Sequence, residues 1–173
     1  MTVGTNAQGR SHLVIDSPYD RLTLVATDGE LSGLYMVDQR HRPAEETFGE
    51  RVRGRGPFDR AVEQLEAYFD GGLTEFDLPL TLHGTPFQRS VWEQLRLIPY
   101  GGTRTYGELA EALGKPGASR AVGLANGKNP IGIIVPCHRV IGSTGSLTGY
   151  GGGLARKQRL LELEGAAGTG ALF

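Results

Sequence analysis

Two kinds of hydrophobic spacing divide the chain. Between Ser11 and Val37 the apolar positions come in short runs, His12-Leu-Val-Ile15, Leu22-Thr-Leu-Val25 and Leu31-Ser-Gly-Leu-Tyr-Met-Val37. Ser17-Pro18 breaks the first pair and Asp28-Gly29 the second, and an Asp-Gly step between apolar runs is a strong hairpin signal. The pattern predicts a small antiparallel meander. Residues 1 to 10 are polar and read as a frayed start, and 38 to 56, charged and glycine-containing, as a surface loop. From Pro57 the spacing turns helical. Pro57 suits a first turn, Ala61, Leu65 and Tyr68 or Phe69 form a stripe fit to cover one face of the meander, and Gly71-Gly72 ends the helix at Asp70.

Helical spacing continues in the second half. Thr85-Pro86-Phe87-Gln88 combines an N-cap, a first-turn proline and a capping-box glutamine, opening a helix with Phe87, Val91, Trp92 and Leu95 on one side that ends near Pro99. Trp92 follows the core spacing. A second capping box, Thr105 with Glu108, opens a helix that Gly114 closes. After Lys115-Pro116-Gly117, residues Ala118 to Asn126 form a short helix rich in small residues, so the two make a helix-turn-helix pattern. Leu154 to Glu164 is a last helix, with Leu154, Leu160, Leu161 and Leu163 for the core and Gly165 as its stop; 166 to 173 read as a tail. The fold class is α/β of the α+β kind: a meander with a helix over 1–82, then a mainly helical domain over 83–173.

Charge sharpens that division. The 173 residues carry a net charge of −1, but residues 1–82 sum to −6 and 83–173 to +5. A basic half suggests a polyanionic partner for that half; ordinary charge scatter and a helical hairpin packed into a core are the bland alternatives. No stretch approaches a membrane span, and no secretory signal opens the chain. One cysteine excludes an internal disulfide and a multi-cysteine zinc site, which fits a reducing cytoplasm. His12, His41 and His83 share no metal-ligand spacing, so neither metal nor cofactor is expected.

The one cysteine, Cys137, follows an apolar run, Ile131 to Val135, long enough for a buried strand or extended segment. Pro136 ends that run. His138 and Arg139 come next. A buried structural thiol is the common fate of a lone cysteine, but two polar side chains directly after it are expensive to bury without a purpose. A free thiol is mostly protonated at neutral pH, and an imidazole or a cation beside it corrects that.

Residues 129 to 151, with Asn129-Pro, Pro136-Cys137-His138-Arg139 and Gly149-Tyr150-Gly-Gly-Gly153, resemble the active-site segment of the DNA alkyltransferases that repair guanine alkylated on its 6-oxygen. The resemblance covers about half the chain, roughly 80 to 165, and is weaker at the N-terminus. It implies a ribonuclease H-like fold for 1–82 and double-stranded DNA as the partner, entered through the minor groove by a recognition helix at Ala118 to Asn126. Ala118, Ser119, Ala121 and Gly123 would lie close to the DNA there, with Arg120 entering the duplex where the target nucleotide leaves. It assigns Cys137 as the alkyl acceptor, His138 as its base through one water, Glu164 as the group orienting His138, Asn129 as a brace for that geometry, and Tyr106 as a neighbour of the nucleotide's phosphate and a hydrogen-bond donor to the purine. The walls from Val140 through Tyr150 and Gly151 to Gly152 would take the extruded base. Gly151 stands where some members have serine.

A methyl group on a purine oxygen is removed by attack at carbon, which suits a soft thiolate. The product, a thioether on Cys137, offers no ready leaving group, so each molecule would act once, on guanine and also on thymine alkylated at its 4-oxygen. A monomer is expected, with several molecules able to lie side by side on DNA. Two rivals stay open: a non-catalytic DNA-binding module over 103 to 126, and a cysteine hydrolase using Cys137 and His138.

Overall fold

The computed structural model describes residues 9–145, 150 and 152–165. The expected tail, Gly151 and all but the end of the expected frayed start lie outside them. The chain is an α+β protein of two compact units, which meet in sequence between His83 and Gly84.

The first unit is a four-stranded sheet with one helix. Strands β1 (Arg10–Ile15), β2 (Leu22–Thr27) and β3 (Glu30–Met36) form the meander, antiparallel with Leu13 opposite Leu24 and Leu24 opposite Leu34. Asp28 and Gly29 both have positive φ, 52° and 83°, the backbone a two-residue hairpin of matching twist requires. Two expectations need correction. Arg10 opens β1 and is not frayed, and the loop after β3 contains β4 (Glu50–Arg51), which runs parallel to β1 and completes the order β3-β2-β1-β4. Phe48 makes that possible. It is buried and stacked on Tyr35 at 5.2 Å, pulling the charged loop onto the sheet. Pro57 sits in a 3-10 turn that leads into α1 (Asp59–Phe69), whose Ala61, Val62, Leu65 and Tyr68 are buried.

The second unit carries α2 (Pro86–Arg96), β5 (Arg104–Thr105), α3 (Tyr106–Ala112), α4 (Ser119–Gly127), β6 (Val140–Ile141) and α5 (Leu154–Glu164). Both capping boxes form, Thr85 with Gln88 and Thr105 with Glu108. Trp92 is core and its indole N–H donates to the Ala125 carbonyl at 2.8 Å, tying α2 to α4. A side chain at Gly84 would overlap the Trp92 ring, 2.5 Å from its Cβ position. The parallel pairing of β5 with β6 sets Arg104 opposite Val140 and Thr105 opposite Ile141. That pairing brings the start of α3, and so Tyr106, beside the chain that leaves Cys137.

Candidate active site

Ile131 to Val135 is buried but is not a strand. It coils on itself: the Val135 amide donates to the Ile131 carbonyl at 2.9 Å and the Ile134 amide to the Gly132 carbonyl at 2.7 Å. Ile133, between the last two, has a φ of 69°, a strained conformation for a β-branched residue that costs on the order of 1–3 kcal/mol. The next turn is tight as well. Pro136, at φ −82° and ψ 67°, centres an inverse γ-turn closed by the Cys137 amide on the Val135 carbonyl at 2.8 Å. An apolar run predicts burial, but these turn bonds use backbone groups that a strand would have offered to a neighbour.

Asn129 holds the coil. Its side-chain amide donates to the Val135 carbonyl at 2.7 Å, and its oxygen accepts from the Ile131 amide at 3.0 Å. The same side chain favours the thiolate form of Cys137. Asn126, which the sequence reading passed over, is buried at the end of α4 and its amide reaches the Cys137 carbonyl at 3.4 Å. The small-residue helix and the thiol turn are therefore joined by a side chain.

Cys137 opens a single 3-10 turn with His138 and Arg139 and is 7% exposed. His138 and Glu164 are both buried, and His138 Nε2 lies 2.8 Å from a Glu164 oxygen. Arg139 grips the same carboxylate with two donors, Nε at 2.8 Å and Nη2 at 2.9 Å, and gives a third bond to the Ile98 carbonyl at 2.6 Å. Arg139 is thus an anchor for Glu164. His138 Nδ1 has no hydrogen-bond partner among the described residues.

The last helix corrects the expected core. Leu154 is 49% exposed and Leu163 half-buried; the buried stripe is Lys157, Leu160, Leu161 and Glu164. That is the i, i+3, i+4, i+7 face of one helix, with a charge at each end. Lys157 Nζ donates to the Val140 carbonyl, and its charge faces Cys137. The signal was in the sequence: Lys157 and Glu164 share the heptad face of the two core leucines.

Electrostatics sort these groups into roles. Burial pushes the Cys137 thiol up, and the Asn129 hydrogen bond and the Lys157 charge pull it partly back. Burial pushes His138 down, against the Glu164 hydrogen bond and charge, so the imidazole rests neutral. Burial would raise the Glu164 carboxyl, but hydrogen bonds from His138 and Arg139, with their charges, hold it down to about 2. Burial lowers Lys157 to about 8, against the attraction of Cys137. At neutral pH the site therefore holds a thiol, a neutral base, a carboxylate and a cation.

Lys157→Met tests the cation. The thiol should titrate at higher pH, read as a shift in the pH dependence of its alkylation by a small electrophile; an unmoved profile would leave Lys157 a packing residue. Stability gives a second reading. A lysine at about 8 in the folded chain and near 10.4 unfolded binds fewer protons folded than unfolded between those values. Wild-type stability should therefore climb with pH across that window, and the variant should lose the climb.

The other expected residues lie on α3 and α4. Tyr106, half-buried, heads α3 and packs its ring against Gly123, where a Cβ would meet it at 3.7 Å. Val122, Ala125 and Asn126 face inward; Ser119, Arg120 and Ala121 are exposed, and Ala118 and Gly123 half-buried. Val140 and Tyr150 are buried and Gly152 half-buried. No Asp or Glu occurs from residue 112 to 161, while seven Lys and Arg do.

A helix-turn-helix whose second helix lies in an acid-free stretch, joined to a buried thiol with a carboxylate-backed imidazole beside it, defines a DNA-binding protein with a cysteine nucleophile. Comparison with known proteins gives the family. The profile of the 6-O-methylguanine DNA methyltransferase DNA-binding domain matches residues 86–166, and that of its ribonuclease-like domain residues 12–82. The methylated-DNA–protein-cysteine methyltransferase of Mycolicibacterium paratuberculosis is 61% identical over 150 residues, 87% of this chain and 89% of that protein. Its counterpart in Methanosarcina acetivorans is 50% identical over 156 residues, 90% of this chain and 98% of that one. The crystal structure of Mycobacterium tuberculosis OGT in complex with DNA aligns with a TM-score of 0.81 at 55% identity, covering 94% of this chain and 99% of that one. The chain belongs to the 6-O-methylguanine DNA methyltransferase family.

Proposed function

We propose that the protein repairs alkylated DNA by direct reversal, moving the alkyl group from the 6-oxygen of guanine, and from the 4-oxygen of thymine, to the Cys137 sulfur once per molecule. The observation that carries this reading is the buried His138–Glu164–Arg139 cluster adjoining the lone thiol. The thiol proton passes through one water to His138, Glu164 stabilises the imidazolium, and Lys157 and Asn129 support the thiolate. The sulfur–carbon bond forms as the carbon–oxygen bond breaks. The oxygen keeps the electron pair, and the purine regains the proton the thiol gave up, with Tyr106 as hydrogen-bond donor. Duplex DNA is engaged through the minor groove by α4, and the base is extruded towards Val140, Tyr150 and Gly152. A monomer in the cytoplasm suffices for this chemistry, and no helix among the described residues is long and apolar enough to cross a membrane.

The test is incubation with duplex DNA carrying a labelled methyl on guanine. One label per protein chain, stable and located on residue 137, is expected; catalytic release of label would point to a hydrolase and no transfer to a binding module.

Arg120 acts on DNA geometry in this reading. Its exposed side chain at the start of α4 fills the space left by the base, offsetting an unstacking cost on the order of a few kcal/mol. Arg120→Ala should slow single-turnover repair of bound duplex strongly and slow reaction with the free alkylated base far less. Wild-type repair of bound duplex by the variant would leave Arg120 a phosphate contact.

A further inference from the structure

Most large apolar side chains of the second unit are buried, but Leu124, in the middle of α4, is 63% exposed. A single exposed leucine needs no explanation by itself; its neighbours give this one significance. Residues 120, 121 and 124 are spaced to share one helix face, Lys128 follows as the C-cap of α4, and Arg120, Ala121, Leu124 and Lys128 are all exposed. The opposite face, Val122, Ala125 and Asn126, is committed to the core through Trp92 and to the thiol turn. Leu124 therefore stands alone as a bulky apolar group on a row otherwise made of cations and small residues, with Ser119, Gly123 and Gly127 to either side.

Helical side chains lean towards the N-terminus of their helix. Leu124 thus covers the turn that carries Arg120 and Ala121, and Ala121 contributes only a methyl there. The result is an apolar ridge with a cation one turn before it and another one turn after. No acidic residue interrupts the surrounding sequence. A surface of cations alone would suit phosphates; an apolar ridge between them suits the floor and walls of a groove, where deoxyribose faces are apolar and phosphates line the rims.

We infer that Leu124 is a groove-contact residue: it packs on the deoxyribose faces of duplex DNA and sets how deeply α4 sits, between Arg120, which enters the duplex, and Lys128, which meets the phosphates on the other side. This rests on the repair reading for its partner and continues the DNA surface of that reading to a residue outside it. As an apolar contact, it releases no counterions. Its loss should weaken binding without changing the salt dependence, the reverse of losing a phosphate contact.

The experiment measures affinity of the full chain for an unmodified duplex over a range of salt, for wild type, Leu124→Ala, Leu124→Gln and Leu124→Met. Ala and Gln should bind about tenfold more weakly, the equivalent of losing most of one leucine burial, with an unaltered slope against salt. Met, apolar and of similar volume, should bind like wild type. Exposure at this position makes misfolding a poor explanation for any loss, and retained binding by Met excludes it. Wild-type affinity for Ala and Gln overturns the inference, as does a reduced salt slope. So does a change in self-association without DNA, which would assign the ridge to a second copy of the chain. Failure of wild type to take methyl from DNA would sink the repair reading while leaving the binding comparison intact.

Discussion

Cys137→Ala should abolish methyl transfer entirely and leave binding to duplex DNA intact. The chain has no second cysteine, so no other thiol can substitute, and a hydroxyl or imidazole is a poor nucleophile towards a methyl carbon beside a neutral base. The variant removes one sulfur atom from a buried position whose backbone is fixed independently. The inverse γ-turn at Pro136 and the Asn129 bonds to Val135 and Ile131 do not involve the thiol, nor does the bond from Asn126 to the Cys137 carbonyl. Intact mass after exposure to methylated duplex should show one added methyl for wild type and none for the variant, with DNA affinities equal within error. Transfer by the variant would end the assignment. Loss of DNA binding together with transfer would show instead that the thiol holds α4 in place.

Local chemistry with fixed geometry was legible in the sequence. Thr85 with Gln88 and Thr105 with Glu108 each bring both halves of a reciprocal hydrogen bond within four residues, so the helix starts could be read directly. Asp28-Gly29 specified its hairpin for the same reason. What escaped depended on partners distant in the chain. The two-residue β4 has no periodicity, and its place comes from Phe48 stacking on Tyr35. The run Ile131 to Val135 advertises burial, which a strand and a coiled turn satisfy equally; Asn129, outside the run, decides for the turn.

The site divides along the same line. Cys137 and His138 are adjacent and announce themselves. Lys157, twenty residues on, is not among the core positions expected for the last helix, because lysine ordinarily faces water. Its position on the face of Leu160, Leu161 and Glu164 carried the contrary information. Arg139 was visible as a cation, but its grip on Glu164 required the fold to bring α5 back to the thiol turn.

Removing the Glu164 carboxylate should have the largest combined effect on stability and chemistry. Three donors converge on it, His138 Nε2, Arg139 Nε and Arg139 Nη2, and none is exposed enough for water to replace it. Glu164→Gln keeps the shape but turns an amide towards these donors and leaves the Arg139 charge uncompensated. Breaking a buried pair in this way costs about 3–5 kcal/mol. Trp92, the sole tryptophan, is buried in the same unit, so denaturation followed by its fluorescence reads the relevant core. The pH dependence carries the sign. Glu164 sits at about 2 in the folded chain and near 4.3 unfolded, so its contribution is complete above the unfolded value and is lost as pH falls towards 2. Wild type should lose about 3 kcal/mol across that window from this group alone, and Glu164→Gln should lack that component of the acid slope. In the chemistry, the same change removes the group that stabilises the imidazolium. The thiol should then alkylate only at higher pH, and His138→Ala combined with Glu164→Gln should cost less than the two single losses together. Additive losses would mean that Glu164 serves Arg139 and the fold but not the proton path from Cys137, and an acid slope equal to that of wild type would mean that these donors do not hold its carboxyl low.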